Sequence, residues 1–243
     1  FIQQLSEQKM NELQLSAFEI ASHREIIFEV YNNIAGQQSF MDAVQNYDEL
    51  RGIKPDLYKA FLPKTWSIVS GKGIVGLLHP EGVYDDAKGG NFRKQIYRRL
   101  RAHYQFINQK KLFEIGNTRP YSINLYASEH KPDFDAIFYL FDPHTIDETY
   151  EVENNPRVQY GIKDENGNWN EAGDKSRLIR VNQISLASFI GLLDEEEDWQ
   201  KVRMPMLFSR EISKAIEAIN GENSTVNDAD SKILYTEMLT EPK

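Results

Sequence analysis

A short apolar run hemmed by glycines, leading into a polar loop and then an acid-free basic segment, constrains the fold of this 243-residue chain more than any other feature. Ile74, Val75, Leu77 and Leu78 follow Gly71 and Gly73, and His79-Pro80 stops the run. The pattern predicts an interior strand covered on both faces in a largely parallel sheet. Ligands of open α/β sheets bind outside the carboxyl ends of such strands, so the loop from His79 to Gly90 is the first place to look for a site. Beyond it, Phe92, Ile96 and Leu100 recur at helical spacing, which predicts one apolar stripe with cations on the remaining faces.

The same region resembles a known family. His79-Pro-Glu-Gly-Val-Tyr-Asp-Asp-Ala-Lys-Gly-Gly, then Phe92-Arg and Tyr97-Arg-Arg-Leu-Arg-Ala-His-Tyr-Gln-Phe, are similar to the large adenine-N6 DNA methyltransferases of restriction-modification and phage-defence systems. Lys111-Leu-Phe, Tyr121-Ser-Ile-Asn-Leu-Tyr, Gly161-Ile-Lys-Asp-Glu-Asn-Gly-Asn-Trp and Arg203-Met-Pro-Met-Leu-Phe-Ser-Arg-Glu follow in the order found in that group. The resemblance implies an S-adenosylmethionine-dependent enzyme acting on double-stranded DNA in the cytoplasm, with defence-system subunits as further partners. Two parts of the family pattern are missing. There is no glycine-rich cofactor turn and no Asn/Asp-Pro-Pro-aromatic loop, since Asn155-Pro156 is followed by Arg157. The chain therefore reads as the back half of a methyltransferase core, opening on Phe1 just after the adenine-binding loop and inactive alone, with no catalytic or cofactor-binding residue of its own.

The implied fold is α/β: an incomplete Rossmann-like methyltransferase sheet with flanking helices and a smaller mixed α+β extension. Residues 1–54 read as a helical insertion, 55–142 as the later core, 143–219 as the extension toward a target-recognition region, and 220–243 as a linker. Helical spacing marks the first segment, and Leu57, Phe61, Leu62, Trp66 and Val69 mark a helix over the sheet despite Pro63. Strands are expected around His103 to Asn108, Tyr121 to Tyr126, Asp135 to Phe141 and Arg177 to Val181. Asn166-Gly167 suggests a type I′ hairpin tip, and Ser185 a helix cap before Leu193.

Composition narrows the function classes. No apolar run approaches the roughly 20 residues that cross a bilayer, and zero cysteines exclude disulfides and thiolate metal sites. A net charge of −9 argues against indiscriminate nucleic-acid binding. Distribution can override that balance: Ala87 to Phe113 contains no Asp or Glu. Lys88, Arg93, Arg98, Arg99 and Arg101 are accordingly the candidate DNA-phosphate contacts. The competing reading is a solvated face pairing with the acidic surplus. Tyr84 is the candidate neighbour of a flipped target base; the alternative is packing over the sheet edge. Glu81, Asp85 and Asp86 order the loop in preference to binding metal, and His23, His79, His103, His130 and His144 show no ligand spacing. Gly71-Lys72-Gly73 lacks the remainder of a phosphate loop. Two other functions stay open: a non-catalytic DNA-binding or specificity module on a methyltransferase-like scaffold, and an interaction subunit.

Overall fold

The computed structural model describes residues 7–193 and 196–219, so the expected linker and two residues of the acidic stretch Asp194-Glu-Glu-Glu-Asp, Asp194 and Glu195, lie outside the described residues. The chain is α/β, with a five-stranded mixed sheet and flanking helices. Two helices, α1 (Glu7–Glu19) and α2 (Ala21–Asp42), form the expected helical opening, packed on each other through the edge of Phe18 against Phe28. No residue of α2 is buried, and Ile26, Phe28, Val30 and Ile34 face solvent. None of the described helices is long and apolar enough to cross a membrane.

Helix α3 (Leu57–Ile68) accommodates Pro63 and buries Leu62, with Trp66 half-buried against the core. Leu57 and Phe61, expected to cover the sheet, point outward instead. The sheet then builds from β1 (Val75–Pro80), β2 (Leu100–Ile107), β3 (Pro120–Tyr126), β4 (Asp133–Leu140) and β5 (Ile179–Asn182) in the order β1-β3-β2-β4-β5. Only β2 and β4 run parallel. The expectation of an interior first strand is corrected: β1 lies at one end of the sheet, paired among the described residues with β3 alone. Ile74 and Leu78 are exposed, while Val75 and Leu77 pack partly on the core. An apolar run records that side chains avoid water, not which neighbour covers them.

After β1 come α4 (Gly82–Asp85) and α5 (Gly90–Tyr97). Phe92 and Ile96 bury as the stripe predicts, but Leu100 already belongs to β2. Helix α6 (His144–Glu151) follows β4, and α7 (Gln183–Ser188) follows β5. The cap of α7 is Asn182 and not Ser185: its side-chain oxygen accepts from the amides of Ile184 and Ser185. Helix α8 (Arg210–Ile219) is the last element described. Lys163 and Trp169 form an isolated bridge around Asn166-Gly167. Gly167 alone there has positive φ, so the tip is not type I′, which needs it at both central residues.

The main core lies on one face of the sheet, where Phe92, Ile96, Tyr97, Phe134, Phe138, Leu186, Phe189, Val202 and Leu207 meet. Residues following β4 thus share both the sheet and the core with those preceding it. A second cluster, Phe106, Tyr121, Ile137 and Leu140 with Ile146 of α6, covers part of the other face.

Candidate functional site

At the carboxyl end of β1 a cavity of about 940 Å³ opens between segments distant in sequence. Its walls come from Leu78 to Gly82, Tyr84 and Asp85, from Phe113, Ile115 and Arg119 to Tyr121, from Tyr139, and from Leu193 and Met204 to Met206. The loop after β1 is therefore where the sequence directs attention. The size and the mainly apolar, aromatic lining suit a small planar ligand.

One wall depends on a backbone irregularity. Along β4, Phe134, Ala136 and Phe138 face the main core and Ile137 the other side, as strand alternation requires. Tyr139 breaks the alternation: its φ of 55° is the left-handed region, costly for an aromatic residue in a strand. The register against β2 slips there, because Tyr104 opposes Ile137 while Phe106 opposes Leu140. This bulge turns Tyr139 toward the cavity and returns Leu140 to the opposite face. Two buried side chains hold it. The Gln105 amide oxygen accepts from the Tyr139 N–H at 2.9 Å, and Arg177 donates to the carbonyls of Phe138 at 2.6 Å and Tyr139 at 3.1 Å. Arg177 also donates to Ala172 and lies over the Phe208 ring at 4.5 Å. Burial draws its guanidinium down to about 10, still cationic at neutral pH.

Beneath the cavity lies a buried polar network centred on Asn124. Its Nδ2 donates to the Ser122 carbonyl and hydroxyl, which fixes the amide orientation. Oδ1 therefore accepts, from the Tyr84 hydroxyl at 2.6 Å and from His103 Nδ1 at 2.8 Å. His79 Nδ1 donates to the Pro80 carbonyl, leaving Nε2 to accept from the Tyr126 hydroxyl at 2.8 Å and from Asn124 at 3.0 Å. Burial, the largest influence, lowers the His79 pKa and keeps the ring neutral, as its bonds require; the Pro80 carbonyl and Glu81 oppose the shift. Burial likewise raises the Tyr84 and Tyr126 phenols well above their ordinary range, so both donate as neutral hydroxyls.

His79 makes the network sensitive to acid. The unfolded chain takes up a proton near the ordinary histidine value of about 6.5, whereas folded His79 resists it. Its contribution is full above that value and falls as pH drops toward the lowered folded value. Melting temperatures measured below about pH 6.5 should decline more steeply for the wild type than for His79→Gln. Parallel declines would remove His79 as the cause.

The sequence-predicted residues fare differently. Tyr84 does line the cavity, but its side chain is buried and its hydroxyl committed to Asn124. Arg93 is fully buried, donating to the backbone carbonyls of Lys201 at 2.8 Å and of Asp86, so the reading of it as a phosphate contact is corrected. Two of its neighbours pair with an acidic residue. Arg98 and Arg99 both pair with Glu129, Arg99 also lies over Trp66 at 4.7 Å, and Arg101 donates to the Ser128 carbonyl and meets His130. Lys88 is exposed, its backbone N–H bonded to Asp86. Arg98, Arg99 and Arg101 gather at the end of α5 and the start of β2, Lys88 precedes α5 and Arg93 lies within it, and none of the five lines the cavity.

Two contributors carry no signal in the sequence: Tyr139 has no glycine-like mark for its bulge, and Arg119 lies outside the dense basic segment. No group of three or more His, Cys, Asp or Glu able to hold a metal ion occurs among the described residues. No known family model matches the chain, and no curated protein matches it either.

Proposed function

We propose that this chain is the later part of the catalytic domain of an S-adenosylmethionine-dependent, adenine-specific DNA methyltransferase of a restriction-modification or phage-defence system, inactive by itself. One observation carries the reading. The stretches that resemble the family are scattered over more than a hundred residues, yet His79 to Gly82, Tyr84, Asp85, Phe113, Tyr121 and Met204 to Met206 wall the same cavity. Segments that share only ancestry in a scaffold need not converge; segments that serve one ligand must. Aromatic and methionine side chains around a space of that size suit a base taken out of its stack.

The bare end of the sheet is consistent with the same reading. Ile74 and Leu78 of the β1 region, and Leu57, Phe61 and Ile68 of α3, are exposed, and among the described residues one edge of β1 is unpaired. Earlier strands of a Rossmann-like sheet, carried by the parent protein, would cover both. The residues present do not make a cofactor site. Among the described residues, the strand-to-helix passages, Glu81 after β1, Phe141-Asp142-Pro143 after β4 and the direct step from Asn182 to Gln183 after β5, are not glycine-rich turns. This chain supplies the wall that receives the base, and the cofactor and the groups that polarise the adenine amino nitrogen belong to the parent.

The test extends the polypeptide upstream to include those strands and follows transfer of a labelled methyl group to double-stranded DNA. N6-methyladenine is the expected product, and its absence with an intact upstream region sinks the proposal. The chain alone should bind S-adenosylmethionine more weakly than about 1 μM by calorimetry. Tighter binding would mean that the cofactor site is here. The exposed apolar residues of α1 and α2 favour a second reading, an interaction subunit in which that hairpin meets a partner.

A further inference from the structure

Two buried side-chain atoms beside the cavity have no hydrogen-bond partner, Glu81 Oε1 and His103 Nε2. They belong together. Asn124 fixes the hydrogen of His103 on Nδ1, so Nε2 is the nitrogen turned to Glu81, 3.5 Å from Oε2. That separation is too long for a hydrogen bond, but it sets one carboxylate oxygen against the imidazole and leaves Oε1 bare. The Glu81 side chain is nine-tenths buried and lines the cavity. Folded proteins seldom leave such an acceptor unmatched, because its lost hydration is not replaced. A ligand N–H in the cavity would replace it.

At the rim stands a complementary group. Arg119 is exposed, lines the same cavity, and its guanidinium has no partner among the described residues. Arg93, Arg98, Arg99 and Arg101, at other places in the fold, are engaged by carbonyls, Glu129 or His130. The rings of Phe113 and Tyr121, set edge to face at 5.1 Å, line the same cavity.

We propose that Glu81 and Arg119 are the two polar determinants of the cavity for a nucleotide unit. Glu81 Oε1 takes an N–H of the base, and Arg119 pairs with the phosphate. The assignment rests on the reading of the cavity as a base-receiving site, but it names residues that the resemblance does not. The unit could be a free nucleotide or one link of a DNA strand, and the two share this chemistry.

The experiment titrates the 243-residue chain with deoxyadenosine monophosphate, with deoxyadenosine, and with a short single-stranded DNA oligomer containing adenine, by calorimetry or NMR. Arg119→Gln should weaken the monophosphate and the oligomer about tenfold and leave deoxyadenosine unchanged. Glu81→Met should weaken all three about tenfold, while Glu81→Gln, whose amide oxygen still accepts, should keep most of the affinity. Folding of Glu81→Met is checked by its melting temperature, expected to be equal or higher because a partnerless buried acceptor is gone. No saturable binding by the wild type, or binding indifferent to Arg119→Gln and Glu81→Met, overturns the proposal and leaves the methyltransferase reading to its own assay. Oligomer binding at least as tight as that of the monophosphate assigns the site to a strand. Tighter monophosphate binding assigns it to a free nucleotide, which supports the two residues and counts against DNA as the substrate.

Discussion

Arg177→Met is expected to cost about 3 kcal/mol of folding stability, among the largest effects of any single substitution in the described structure. The arginine is fully buried and donates to the carbonyls of Ala172, Phe138 and Tyr139. Methionine fills much of the volume over Phe208 but leaves all three oxygens unmatched in the interior. Relief of the buried charge offsets part of the loss, which keeps the figure below a simple sum. Urea denaturation followed by circular dichroism measures it. A loss under about 1 kcal/mol would show that water replaces the guanidinium. Because two of these bonds hold the bulge, the substitution should also release Tyr139 from its left-handed backbone and open that cavity wall.

Asn124→Leu should lose a comparable amount, about 3 kcal/mol, through a different mechanism. Leucine has nearly the shape of asparagine and none of its polarity. The hydroxyl of Tyr84, the Nδ1 hydrogen of His103 and the Ser122 carbonyl would each lose a partner where no solvent reaches. His79 Nε2 keeps Tyr126, so the network fails around Tyr84 and His103 first. Shifts in the denaturation midpoint and in the His103 ring resonances report both outcomes. If the variant is as stable as the wild type, the bonds drawn through Asn124 are not what holds β3 against α4.

Much of the fold was legible from periodicity alone. Each strand expected from alternation is present within a few residues, and the helices over residues 7–42, 57–68 and 210–219 follow their apolar spacing. What stayed hidden depended on distant neighbours. Arg93 looks like its surface companions because nothing near it in sequence announces Lys201, which lies 108 positions away and supplies the carbonyl that holds it. The edge position of β1 follows from β3 inserting beside it, which no local pattern in residues 74–78 encodes. Tyr139 hides for the opposite reason: the sequence offers an ordinary strand, and two side chains from elsewhere, Gln105 and Arg177, impose the kink. The neighbourhood of the cavity was foreseeable from the loop after β1, but not its far walls.

Those far walls have a consequence for how such a protein comes into being. Because one side of the cavity is Met204 to Met206, the pocket cannot be complete until those residues have been made, even after β1 to β5 have emerged. A nascent chain holds a nearly finished sheet with Glu81, Tyr84 and Phe113 open to water on that side. Ligand recognition thus matures after the sheet, and removal of the segment from Arg203 onward would strip that wall from the pocket.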